Sequence, residues 1–468
     1  MKIIAFLCII LGTVCAQAQQ DSLLITYEQF LVQVYQYHPI AQQIRLKQQE
    51  AEAYLQKARG GFDPKLMAQW DNKQFDKKNY YQMLRSYLKV PIWAGIEAEA
   101  GYQYTNGTYL NPENKLPTPG QAYLGLKVPL LKGLWTNERQ LALQQAKVLI
   151  SANEAAIQSH LNNLLFEAGY AYWEWVQVYN SETIVQQSLI NAQKQFEATK
   201  EAFIQGAQPA IDTLKAFIRI QDRQLLLNNT QLEVQNKVRT VSTYLWDEQQ
   251  QPVQIPATAY PVTLNRLNNL PLDNALLDNS VAQLNQHPDV LAYQFKLQNL
   301  EFERRLKVNQ LLPKLDLKYN FLSAEHVNFF KTTTSTPVQN YKIGIQFSMP
   351  IFLRKERAAL SLIKLKAQSL TYKLSDKRRT LQAKIENHFN TVQTFAQQTE
   401  GYYQMIDNYQ TLLQAERVKL ELGESSIFLV NTRENQLFEA QLKLVKQQTK
   451  YFKARTKFFG LIANLVPN

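Results

Sequence analysis

Two stretches of this chain contain no proline and scarcely any glycine. Leu134 to Ile204 holds only Gly169, and Arg354 to Leu422 only Gly401. Each runs to about 70 residues, which as a straight helix would be about 105 Å long, against about 30 Å for a small domain. Helices of that size cannot turn back inside an ordinary globule. Apolar residues recur at intervals of seven, in Leu134, Leu141, Val148 and Ala155 and again in Leu374, Leu381, His388, Phe395, Tyr402 and Tyr409. Coiled-coil packing is therefore expected, with His388 a seam residue and not a catalytic one. A turn follows each stretch, Gln205-Gly206-Ala207-Gln208-Pro209 or Gly423-Glu424-Ser425-Ser426. Glycine suits the position just past a helix end, and Pro209 the first turn of the next helix. Two antiparallel hairpins are predicted, returning to about Trp246 and Leu465. A globular bundle or a spectrin-like rod would share this much.

The chain is written twice. His38-Pro39 recurs 249 residues later as His287-Pro288, and Pro64-Lys65-Leu66 recurs at the same offset as Pro313-Lys314-Leu315. Val128-Pro129-Leu130 then matches Met349-Pro350-Ile351, and Gly206 matches Gly423. The organisation expected is residues 1–18 as an export signal, 19–250 as a first structural repeat, 251–275 as a Pro-rich linker and 276–468 as a second repeat. Each repeat reads helix, strands, long helix, glycine turn, helix. Proline at 39 or 288 suits a first helical turn, so His38 and His287 read as structural. His160, His326 and His388 are scattered without metal-ligand spacing.

Between the helices the period changes to two. Leu315 to Phe321 and Tyr341 to Met349 alternate cleanly, and Ile96 to Ala100 and Tyr123 to Val128 behave similarly. Two-faced segments of about ten residues suit a membrane barrel. The face with Glu97 and Glu99, or with Lys342 and Gln346, is then expected to look into water as the barrel lumen. Tyr80, Tyr81, Tyr87, Trp93, Tyr102, Tyr104 and Tyr109 could supply aromatic girdles. The first half has some 25 residues more between its helices than the second, which suggests an extra hairpin involving residues 80–105. One chain has too few strands for a water-filled pore, and open edges are not tolerated in lipid. Several chains must share one barrel.

Lys2, the apolar run Ile3 to Val14 and Ala16-Gln17-Ala18 read as an export signal too short to span a bilayer. Bulky Val14 before Cys15 suits lipidation poorly, so cleavage after Ala18 is expected. Both cysteines, Cys8 and Cys15, lie inside this segment, leaving no thiol for a disulfide, metal site or nucleophile. The formal charge of +12 falls to +11 without Lys2. An exported chain rarely meets nucleic acid, so solvated lysines on long helices account for it. No later run reaches eighteen apolar residues, so no transmembrane helix is expected. No nucleophile elbow, phosphate loop or metal motif is present, so the chain does not read as an enzyme and no cofactor is expected.

Together these features resemble the TolC-type outer-membrane efflux family. The resemblance rests on the paired His-Pro starts, Phe62-Asp63-Pro64 and Leu312-Pro313-Lys314-Leu315 before strands, and Val128-Pro129-Leu130-Leu131 with Met349-Pro350-Ile351-Phe352 after them. It implies an α+β membrane protein, a homotrimer whose outer-membrane β-barrel continues into an α-helical coiled-coil tunnel through the periplasm. It also implies a periplasmic adaptor and an RND-type or ABC-type inner-membrane transporter as partners, in efflux or type I secretion. By the same resemblance Gly206, Pro209, Gly423, Ser425 and Ser426 belong to adaptor-contacting tips and Asp212 to a periplasmic gate, to which Glu424 could add charge and where Arg433 could pair with an acid and hold the closed state. The family's acidic position six residues past each tip glycine is filled by Asp212 in the first half but by Leu429 in the second. The rival reading is a structural coiled-coil protein of the periplasm, which would not need two sets of amphipathic strands. The signal reading predicts that N-terminal mass spectrometry of the purified protein finds Gln19 first and no lipid; a diacylated Cys15 would refute it.

Overall fold

The computed structural model describes residues 23–118, 120–256, 258–264, 271–323 and 340–466. The export segment with Cys8, Cys15 and the expected start at Gln19 lies outside them, as does His326. A short strand β1 (Leu24–Ile25) and helices α1 (Tyr27–Tyr37) and α2 (Pro39–Arg59) lead into four strands. These are β2 (Lys65–Phe75), β3 (Lys78–Pro91), β4 (Glu97–Asn106) and β5 (Gln121–Pro129). Next come α3 (Glu138–Ile204), α4 (Ala210–Ser242), β6 (Tyr260–Pro261), α5 (Asn274–Ala282) and α6 (Pro288–Gln310). Strands β7 (Lys314–Leu322) and β8 (Tyr341–Ser348) and helices α7 (Arg354–Glu421) and α8 (Ile427–Leu461) complete the chain.

Helices α3 and α7 hold 67 and 68 residues, a rise of about 100 Å each. They pair with α4 and α8 as antiparallel hairpins, and α3 also packs on α2, α6 and α8. Three sequence-based boundaries shift. Leu134 precedes α3, whose N-cap is Asn137, its side chain accepting from the Gln140 N–H at 3.0 Å. The α8 helix stops at Leu461 and α4 at Ser242, short of Leu465 and Trp246. The expected seam of α7 is only part of the buried one. Leu374 and Leu381 are buried, but His388, Phe395, Tyr402 and Tyr409 are half-buried. A second heptad series, Ile385, Val392, Thr399, Ile406 and Leu413, is buried throughout. The seam thus uses both apolar positions of the heptad, and the second series is the deeper.

One core gathers Phe30, Val34, Leu165, Tyr172 and Trp175 from α1 and α3; another gathers Ile385, Phe389, Val392, Tyr451 and Phe458 from α7 and α8. The Pro-rich segment is no free tether. Ile255 is buried in the first core, with Val253, Val262 and Leu264 packed against it, and Tyr260–Pro261 pairs in parallel with Leu24–Ile25.

The two His-Pro starts are helix caps. Pro39 and Pro288 occupy the first helical turn, where a missing N–H costs nothing. His38 Nδ1 accepts from the Ile40 N–H and His287 Nδ1 from the Asp289 N–H, both at 3.2 Å. His287 Nε2 lies 3.0 Å from the Leu461 carbonyl, to which it donates once Nδ1 is the acceptor. Burial holds both rings below their ordinary pKa, matching the need for an unprotonated Nδ1. A depressed folded pKa gives stability that is complete above about pH 6.5 and declines as the pH falls toward the folded value. His287→Ala is expected to cost about 1 kcal/mol, as lost caps do, while His287→Asn keeps the cap and removes part of the destabilisation between pH 7 and 5. Thermal melts of the two variants at both pH values check this.

Candidate functional site

The six long strands form one antiparallel sheet in the order β2-β3-β4-β5-β7-β8. The excess residues of the first half form an added hairpin, so it contributes four strands to the second half's two. Residues directly opposite one another in such a sheet share a face. One row across all six strands reads Leu66, Leu88, Ala100, Leu124, Phe321, Tyr341. The row one residue over, on the other face, reads Lys65, Lys89, Glu99, Gly125, Asn320, Lys342. The apolar face is bare: Leu66, Trp70, Ile345 and Phe347 are each more than 60 % exposed.

The polar face carries all four residues expected to line a lumen. Glu97 and Glu99 share it with Lys342 and Gln346, the last lying opposite Asp316. The expectation that the two glutamates look into open water is corrected. Lys342 and Gln346 are exposed, but Glu97 and Glu99 are buried because cations from neighbouring elements fold over them. Lys89 and Arg139 approach Glu97 at 2.7 and 2.9 Å, and Arg85 and Lys318 approach Glu99, both at 3.4 Å. Among the girdle candidates, Tyr81 and Tyr87 fall on the polar face, opposite Lys73 and Met67. Tyr102 and Tyr104 fall on the apolar one, Tyr80 lies tilted against Tyr109, and Trp93 sits beyond the end of β3 against Phe62.

The far ends of the helical hairpins are built alike. At the first, the Gly206 N–H donates to the Phe203 carbonyl and the Ala207 N–H to Ala202. At the second, the Gly423 N–H donates to Leu420 and the Glu424 N–H to Lys419. This double closure needs a left-handed residue, and φ is 77° at Gly206 and 80° at Gly423. Pro209 is the N-cap of α4 and lies just outside its first turn, a one-residue correction. Ser426 caps α8, accepting from the Leu429 N–H, while Ser425 donates its hydroxyl proton to Glu416. The tips lie side by side, with Asp212, Ser425 and Ser426 around one cavity. Asp212 pairs with Lys215 at 3.1 Å in the first turn of α4, where a carboxylate also suits the helix dipole. Arg433 pairs across its hairpin with Glu416 at 3.3 Å, and Glu424 is exposed at the turn.

Sequence reasoning missed the polar knot behind the tips. Arg219 on α4 donates to the Asn431 side chain and carbonyl on α8, at 2.6 and 3.0 Å, and to Gln195 on α3 at 2.9 Å. Arg223 reaches Asn435, and Glu434 accepts from Gln195 and from Arg417 of α7. All four long helices are joined here. The readable signal was a matched pair of spacings, Arg219/Arg223 against Asn431/Asn435, each one helical turn apart.

Residues 280–463 match the family model described as outer membrane efflux protein. Among solved structures, the chain is similar to the CmeC outer membrane channel of Campylobacter jejuni, with 14% identity and a TM-score of 0.63 over 94% of this chain and 85% of that one. It is similar to the outer membrane protein VceC of Vibrio cholerae, with 14% identity and a TM-score of 0.65 over 93% and 96%. The MtrE outer membrane channel of Neisseria gonorrhoeae gives 12% identity and a TM-score of 0.65 over 94% and 89%. No curated protein matches it in sequence. The resemblance to the TolC-type family is thus borne out, and the fold is that of these channels.

The ion pair at the second tip sets a pH limit. The Ser425 hydroxyl above all, with Arg433 adding to it, holds the Glu416 carboxyl below its ordinary range despite the opposing effect of burial. A depressed carboxylate stabilises above its unfolded pKa, and the contribution is lost as the pH falls through the folded value. The protection factors of amides over residues 419–430 are therefore expected to stay high at neutral pH and to fall only below about pH 4. Glu416→Gln should exchange faster at pH 7; equal protection in variant and parent would show that the pair does not hold the turn.

Proposed function

We propose that this protein is the exit duct of a tripartite efflux or type I secretion system, with three copies closing one β-barrel in the outer membrane. The observation that carries the reading is the sheet: six strands of 8 to 14 residues, one apolar exposed face, one polar face, and two unpaired edges. Outer-membrane strands need about 9–11 residues. With β8 of one copy against β2 of the next, six strands from each of three copies give eighteen in all, a number that leaves an aqueous channel in porins. Exposed Trp135, Ile351 and Phe352, where the sheet gives way to the helices, suit the membrane interface. Among the described residues no helix is long and apolar enough to cross a membrane.

The helices continue this duct as a periplasmic tunnel, and the two halves of the chain serve as structural repeats. Helix α4 presents Ile211, Ile218, Leu225 and Leu232 at intervals of seven, all exposed. A bare heptad stripe of this kind fits a neighbouring helix of a second copy. The tips, with Gly206, Pro209, Gly423, Ser425 and Ser426, lie about 100 Å from the sheet and would meet a periplasmic adaptor, itself coupled to an RND-type or ABC-type transporter. Asp212, Glu424 and Arg433 would line the entrance. A structural coiled-coil protein of the periplasm has no use for a large apolar sheet face bared to water.

Mass measurement of the detergent-solubilised protein, combined with planar-bilayer recording, tests the reading. A conducting trimer is expected, and Leu225→Asp should shift the population to monomer with loss of conductance. A monomer that conducts by itself would sink the shared barrel, and a trimer that never conducts would sink the duct.

A further inference from the structure

The charges on the polar face of the sheet are unequal in number. Three carboxylates near the helical end of the sheet are buried: Glu97, Glu99 and Asp316. Each is held between two cations. Lys89 and Arg139 hold Glu97, Arg85 and Lys318 hold Glu99, and Lys127 and Lys314 hold Asp316 at 3.3 and 3.6 Å. Six cations therefore surround three acids. Lys65 and Lys342 stand in the same row as Glu99 and add to the excess, while Asp71 on this face is offset by Lys73 two residues along its strand.

We infer that this belt makes the barrel lumen favour anionic cargo. The inference rests on the duct reading above. Each carboxylate cancels one of its two cations, so one positive charge per cluster is left to act on the pore, three in each copy. Threefold assembly would repeat them around the lumen. A ring of one sign with low-dielectric walls raises the local concentration of the opposite ion. Because the six cations retain 26 to 44% of their side-chain exposure, they reach water and are not spent on the fold alone. The acids keep the ring in place: without them, six cations within one stretch of sheet would repel one another.

Reversal potentials across a planar bilayer in a potassium chloride gradient test this. The expected chloride-to-potassium permeability ratio is about 2 or more near 10 mM salt, where charges act over about 30 Å, and falls toward 1 near 1 M, where they act over about 3 Å. The triple variant Lys89→Gln, Lys314→Gln, Lys318→Gln leaves every acid one partner, in Arg139, Lys127 and Arg85, and removes the three unmatched charges of the clusters, with only Lys65 and Lys342 left in excess. Its ratio should fall toward 1 with conductance retained. Should that variant fail to insert, Lys318→Gln alone, with Arg85 still on Glu99, reads a smaller shift in the same direction. A parent channel that is cation-selective or unselective at low salt overturns the inference, as does an inserted variant with the parent's ratio. Absence of any conductance in the parent refutes the duct itself, which separates the two failures.

Discussion

Every residue of β2 and every residue of β8 is exposed, and these are the two edges of the sheet. Each edge offers a row of backbone donors and acceptors without partners. In water such edges recruit other chains, and in hydrocarbon they are forbidden, because no solvent satisfies them. Nothing in the described residues covers either edge. The β2 edge belongs to the first half of the chain and the β8 edge to the second, joined inside the sheet by the β5–β7 pairing. Pairing one copy's β8 with another's β2 is a head-to-tail contact, which must either close into a ring or run on as a filament. Closure with the apolar face outward satisfies the edges and the bare leucines together, which is why the proposed assembly follows from the sheet more directly than from the helices.

The helices meet a different difficulty. A helix of about 100 Å has little core available over most of its length, and its seam here contains many polar residues. Thr199, Thr230, Thr399 and Thr449 are buried, yet each hydroxyl donates to the carbonyl four residues earlier in its own helix, at 2.7 to 2.9 Å. Gln447 meets Gln398 at 2.9 Å, and Gln448 meets Tyr403 across the α7–α8 pair. Small side chains that satisfy themselves let the helices pack closely without leaving buried groups unpaired.

Local rules made much of this legible. Proline and glycine punctuation located both hairpins and both tips, since a left-handed turn and a proline-free run leave few alternatives. The period of two located the strands, and the surplus between the first-half helices located the extra hairpin. What escaped was set by tertiary pairing. Tyr87 looks like its neighbours in sequence, but register against Gly101 puts it on the polar face. Glu97 reads as a solvated residue until Arg139, from the first turn of α3, closes over it. The buried series from Ile385 to Leu413 contains Thr399, and a search for apolar residues alone passes over it.

The two ends of the molecule handle charge in opposite ways. At the tips, three carboxylates are matched one to one, Asp212 by Lys215, Glu416 by Arg433 and Glu434 by Arg417, while Glu424 stands exposed at the turn. Such pairs orient the turns and cancel most of their own field, and exposed ones contribute little stability. The half-buried Arg219 behind them is hydrogen-bonded by amides, with Glu434 near enough to act on its charge. On the sheet, each acid has two cations, and the surplus points into the polar face. Any preference among ions would therefore arise at the membrane end, past the point where the helical hairpins have admitted the cargo. At the tips, replacing Leu429 by an acid would be required to build the second acidic position that the first half has in Asp212.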